Sequence, residues 1–75
     1  MTLPPAANKL QNIPVGSRVV VRYRIAEGLT DALGYLSGVT DTECTVQTRT
    51  GDVVIALELV QAAKMVPPPP PRRPP

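Results

Sequence analysis

The sequence has no histidine, one cysteine, no tryptophan and no phenylalanine. Without histidine, a Ser–His–Asp or Cys–His catalytic site is excluded, and so are the usual zinc sites, which draw on several His and Cys ligands. A lone cysteine cannot form a disulfide within the chain, which fits a reducing, cytoplasmic setting. Charge is sparse as well: eight Lys and Arg against six Asp and Glu leave +2, too little to argue by itself for a nucleic-acid partner. No apolar run approaches the ~20 residues of a membrane span. The N-terminal Met1-Thr2-Leu3-Pro4-Pro5 lacks the basic-then-apolar pattern of a signal peptide. Asp31, Asp41, Glu43, Asp52 and Glu58 fall mostly in turns, with no spacing that suits paired acid–base work. The chain is expected to be a small non-enzymatic module with no catalytic, cofactor-binding or metal site of its own.

Proline sets the boundaries. Seven of the ten prolines lie in the last nine residues, so the foldable part is Ile13–Val66. Residues 1–12 read as a flexible leader with no clear period, and Pro67–Pro75 as a Pro/Arg-rich tail or linker. PPPPPRRPP cannot join a sheet or continue a helix. Polyproline II at ~3.1 Å per residue makes it a stiff spacer of roughly 28 Å.

Between these ends the pattern is β. In Arg18–Ile25, Val19, Val21, Tyr23 and Ile25 alternate with Arg18, Val20, Arg22 and Arg24, the period of a half-buried strand. Ala26–Asp31 reads as a loop and Ala32–Thr40 as a second strand. Gly34 and Gly38 inside that strand predict a bend, a bulge or a close backbone approach. Cys44–Thr48 and Asp52–Ala56 read as the third and fourth strands, joined by a tight hairpin connection at Arg49-Thr50-Gly51-Asp52. Leu57–Lys64 is ambiguous: the residues of ALELVQAAKM favour helix by propensity, but the run is short and is followed by Val66-Pro67. It is read as one 3₁₀ turn at Leu57–Leu59 and a fifth strand around Val60–Lys64, with a C-terminal α-helix as the alternative. Ten valines, three isoleucines and seven threonines favour β over α.

The expected fold is all-β: a small five-stranded SH3-like barrel, with a 3₁₀ turn before the last strand and disordered termini. An OB-fold, which needs more strand residues, ranks second. The expected core is Val19, Val21, Tyr23, Ile25, Leu36, Val46, Ile55 and Leu59.

Several stretches also resemble one known module. They are IPVGSRVVVRYRI, LTDALGYLSGV, TVQTRTGDVVIAL and ELVQAAKMVPPPPPRR. Together they are similar to the SH3-like domain at the N-terminus of mycobacterial and other actinobacterial GNAT-family, histone acetyltransferase-like proteins. The most specific pieces are Val15–Arg24, Thr30–Gly34 and Ala63-Lys64. The resemblance implies a non-catalytic accessory module, joined by its Pro/Arg exit to an acetyltransferase domain, which it positions or helps to engage a substrate. Acetyl-CoA is implied only for that parent domain. The family's pyrophosphate-binding turn, Arg/Gln-x-x-Gly-x-Gly/Ala, begins at no Arg or Gln of this sequence. Arg24 stands four residues from Gly28, and Arg49 stands two from Gly51.

The candidate interaction surface is Arg18, Arg22 and Arg24 on one strand face, with Tyr35. Arginine forks suit phosphate or carboxylate. The plainer reading is a solvated face that keeps a Val-rich edge from aggregating. Tyr35 is either a stacking or peptide-contact residue or a packed rim tyrosine. In the tail, Pro67, Pro70 and Arg72 satisfy PxxPxR, with Arg73 beside them. A free-standing nucleic-acid-binding barrel and a polyproline adaptor are therefore the alternative functions. Cys44 reads as a small apolar core residue.

Overall fold

The computed structural model describes residues 3–67. The strands are β1 (Arg18–Ile25), β2 (Gly28–Val39), β3 (Glu43–Thr48), β4 (Gly51–Ala56) and β5 (Val60–Met65). A 3₁₀ turn, η1 (Leu57–Leu59), precedes β5, and a helix, α1 (Pro5–Gln11), precedes β1. All five strands lie in one antiparallel sheet, in the order β4-β3-β2-β1-β5. Every strand adds a buried side chain to one shared core, so the sheet curls around that core in a small barrel-like fold. The expected all-β class, five strands and 3₁₀ turn are observed.

The core contains Val19 and Val21 from β1, Leu36 from β2, Cys44 and Val46 from β3, Ile55 from β4 and Val60 from β5. Tyr23 packs against it, half-buried. Two expected core residues lie outside. Ile25 is exposed because β5 ends opposite Tyr23 at Val60, after a register shift between Arg22 and Tyr23. Beyond that point Arg24 and Ile25 pair only with β2, in a two-stranded tip. Leu59 is also exposed, and Leu57 is the buried residue. In a 3₁₀ turn, side chains three apart eclipse, so Leu57 and Val60 share the inner side and Leu59 points away.

Helix α1, Pro5–Gln11, corrects the leader reading for those residues. Pro5 opens α1, where its missing N–H is harmless, and Ala6 and Ala7 are strong helix formers. Ala7 and Leu10, one turn apart, are fully buried in the core. The helix ends at Asn12, whose Nδ2 donates to the Asn8 carbonyl oxygen at 2.9 Å, and Pro14 follows soon after. Helix α1 packs against β5. The tail Pro68–Pro75, with the candidate residues Pro70, Arg72 and Arg73, lies outside the described residues.

Strand β2 is longer than expected. Gly28–Asp31, expected in a loop, is already paired with Arg22–Ile25. The connection shrinks to Ala26-Glu27 because Gly28 takes φ 136°, a conformation that L side chains rarely adopt. Gly34 is held by a close approach: a Cβ there would collide with the Gln47 carbonyl. Pairing with β3 shifts between Leu36 and Gly38, a bulge that bends β2.

Candidate functional site

Directly opposed residues of antiparallel strands share a face, so the register defines the outer surface row by row. One row runs Lys64, Val20, Leu33 across β5, β1 and β2. The next runs Arg18, Tyr35, Gln47, Asp52 from β1 to β4. On the other side of the first row lie Ala62, Arg22 and Asp31. Arg24 opposes Leu29 at the tip.

Arg18, Arg22 and Arg24 stand on this one face, but their surroundings differ. Arg18 Nη1 donates to the Pro67 carbonyl oxygen at 2.8 Å. Arg22 Nε donates to Asp31 Oδ1 at 3.0 Å. That hydrogen bond, and then the carboxylate charge, raise the Arg22 pKa above its ordinary value. Both partners are about half exposed, at 56% and 47%, so the pair adds little stability. Arg24 has no hydrogen-bond or ion-pair partner among the described residues. Tyr35 is 43% exposed and Leu36 beside it is fully buried, which places the tyrosine ring outside.

The fold brings to these residues several that the sequence reading did not single out. A groove of about 740 Å³ runs between Arg18, Leu33 and Tyr35 on one side and Gln47 and Arg49 on the other. A second, of about 610 Å³, lies over Val20 and Ala62 and is rimmed by Lys9, Arg22 and Lys64. Val20 and Leu33 are cross-strand neighbours, so the two grooves meet. Lys9 arrives on α1, and Arg49 stands in the β3–β4 turn. Threonine hydroxyls build that turn: Thr48 Oγ1 donates to the Gly51 carbonyl oxygen at 2.7 Å and accepts from the Thr50 N–H at 3.3 Å. Thr40 Oγ1 likewise accepts the N–H groups of Thr42 and Glu43.

The interior offers a different chemistry. No buried side-chain nitrogen or oxygen lacks a partner among the described residues, and no group of metal-ligating side chains occurs among them. Cys44 is buried. Desolvation, and then the nearby Glu43 charge, push its thiol pKa up, away from the thiolate needed for nucleophilic work. No described helix is long and apolar enough to cross a membrane.

Residues 13–64 match the family model described as the Rv0428c N-terminal Sm-like domain. The chain belongs to this family. The match covers η1, all of β1 to β4 and β5 as far as Lys64, and leaves α1 outside. The Sm-like description and the observed topology agree on a small β domain. No curated protein and no solved structure matches the chain.

Proposed function

We propose that the chain is a non-catalytic accessory module that orients a following domain, or that domain's protein substrate, through its Pro/Arg-rich segment. The observation that carries this reading is the double hold on the exit from β5. Val66 N–H donates to the Arg18 carbonyl oxygen at 2.9 Å, and the Arg18 guanidinium returns to the Pro67 carbonyl oxygen at 2.8 Å. One residue of the sheet thus fixes the start of the proline run. Polyproline segments are semi-rigid, so on this reading a direction set at Pro67 would be passed on to a following domain.

The resemblance of Ile13–Arg73 to the N-terminal module of GNAT-type proteins supports an acetyl-CoA-dependent N-acetyltransferase as that following domain. The pyrophosphate-binding turn is missing from this sequence, so acetyl-CoA binding and acetyl transfer would belong to the remainder of a longer protein. The test is the intact mass of the gene product in its source cell, followed by an acetyl-transfer assay of that product with and without the barrel. The reading expects a mass far above 8.0 kDa, acetyl-CoA bound by the remainder, and slower transfer when the barrel is deleted. A product ending at Pro75, or undiminished transfer without the barrel, would overturn it.

A further inference from the structure

The outer face of the sheet combines an apolar floor with a cationic rim. Val20, Leu33 and Tyr35 form the floor where the two grooves meet, with Leu33 47% and Tyr35 43% exposed. Lys9 and Lys64 border it on the β5 side, Arg18 stands on β1 beside Tyr35, and Arg49 borders it on the β3 side. The carboxylates of this face do not cancel that charge. Asp31 is engaged by Arg22, and Asp52 sits on edge strand β4, opposite Gln47.

We infer that this face docks an acidic segment of another protein, one in which apolar side chains are interspersed with carboxylates. Its apolar side chains would lie on Leu33, Val20 and Tyr35, and its carboxylates would meet Lys64, Lys9, Arg18 and Arg49. Complementary potentials of this kind set partner choice and encounter rate, and the apolar centre supplies affinity. The chain's own tail does not fit, because Arg72 and Arg73 repeat the sign of the rim. A second copy placed face to face repeats it too. Nucleic acid would use the cations but would leave Leu33 and Val20 without a role, and Tyr35 is the only aromatic ring on this face, since Tyr23 lies on the inner one. The inference does not depend on what is joined beyond Pro75.

The test uses the 75-residue chain and fluorescence anisotropy with a labelled peptide alternating glutamate and leucine. The comparison probes are a glutamate–serine peptide, a lysine–leucine peptide and an oligothymidylate. The glutamate–leucine peptide should bind, the glutamate–serine peptide about tenfold more weakly, and the lysine–leucine peptide not at all. Lys64→Glu with Arg49→Glu should weaken binding about tenfold, and Leu33→Ser about fivefold. These side chains are exposed and make no hydrogen bond or ion pair among the described residues, and circular dichroism should report an unchanged fold. Asp31→Asn, which frees Arg22, should tighten binding about twofold, a gain that a damaged fold cannot mimic. Equal binding by the glutamate–leucine and glutamate–serine peptides would overturn the inference, as would unchanged binding in the charge-reversed and Leu33 variants. Oligothymidylate bound more tightly than the peptide would give the face to nucleic acid. A dimer in sedimentation that Leu33→Ser abolishes would give it to a second copy. No binding by any probe would also end the inference.

Discussion

The Arg18 guanidinium reaches the Pro67 carbonyl oxygen at 2.8 Å across 49 positions of sequence, while the Arg18 backbone accepts the Val66 N–H. Arg18 therefore belongs both to the rim of the outer face and to the clamp on the chain's exit. Truncating it removes one side-chain hydrogen bond at a partly exposed site, which costs about 0.5–1 kcal/mol. Arg18→Ala should lower the melting temperature by a few degrees and speed hydrogen exchange at the Val66 amide several-fold. Unchanged exchange would show that the side chain does not hold the exit.

Gly34 has no room for a side chain. Its missing Cβ is what lets the Gln47 carbonyl approach, and Gln47 lines the same groove as Tyr35. The obstacle to a larger residue is backbone and cannot rotate away. Gly34→Ala should cost about 3 kcal/mol in urea denaturation, whereas Gly38→Ala, where a Cβ meets nothing within 4 Å, should cost under about 1 kcal/mol. Equal effects at the two glycines would refute the close approach.

Helix α1 is part of the core. Leu10 is fully buried, so Leu10→Ala should cost about 2–5 kcal/mol, the range for leucine truncation in a packed core. Urea denaturation measures it. A loss below about 0.5 kcal/mol would return residues 5–11 to the status of a leader.

The Cys44 thiol titrates higher in the folded chain than in the unfolded one, because burial disfavours the thiolate. Below the ordinary thiol value the two states bind equal numbers of protons. Above about pH 8.5 the unfolded state loses its proton first. The contribution of this thiol to stability is therefore complete at neutral pH and declines as pH rises toward its folded value. Urea melts of the parent chain and Cys44→Ala between neutral and alkaline pH should show a stability difference that shrinks with pH. A constant difference would contradict the burial argument.

Much of the barrel was legible because its signals are local. The alternation in Arg18–Ile25 separates Val19 and Val21 from Arg18 and Arg22, and the structure buries the first pair while the guanidiniums of the second stay on the outer face. The 3₁₀ turn was readable from the short run before Val66-Pro67, but not its phase. The sequence does not say whether Leu57 or Leu59 faces inward; the structure buries Leu57 with Val60 and leaves Leu59 exposed. The sequence does carry a signal for α1: Leu3, Ala7, Leu10 and Ile13 recur at helical spacing, masked by Pro4 and Pro5. The Ala26-Glu27 turn was also marked, by a glycine closing it at Gly28, as Gly51 closes Arg49-Thr50.

The candidate face was half legible for the same reason. Arg18, Arg22, Arg24 and Tyr35 follow from strand period alone. Lys64 reaches Val20 only through the β1–β5 register, which a sequence does not print. Lys9 depends on a helix that was not expected, and Arg49 on the close approach of Gln47 and Thr48 to Gly34.

The most direct measurement is an amide NMR titration of the isotopically labelled chain with the glutamate–leucine peptide. The account predicts shifts centred on Val20, Leu33, Tyr35 and Lys64, with the Asp41–Glu43 turn and the buried Val46 and Ile55 unmoved. Shifts centred on that turn, or none at all at saturating peptide, would contradict the claim that the outer face is the working surface of this domain.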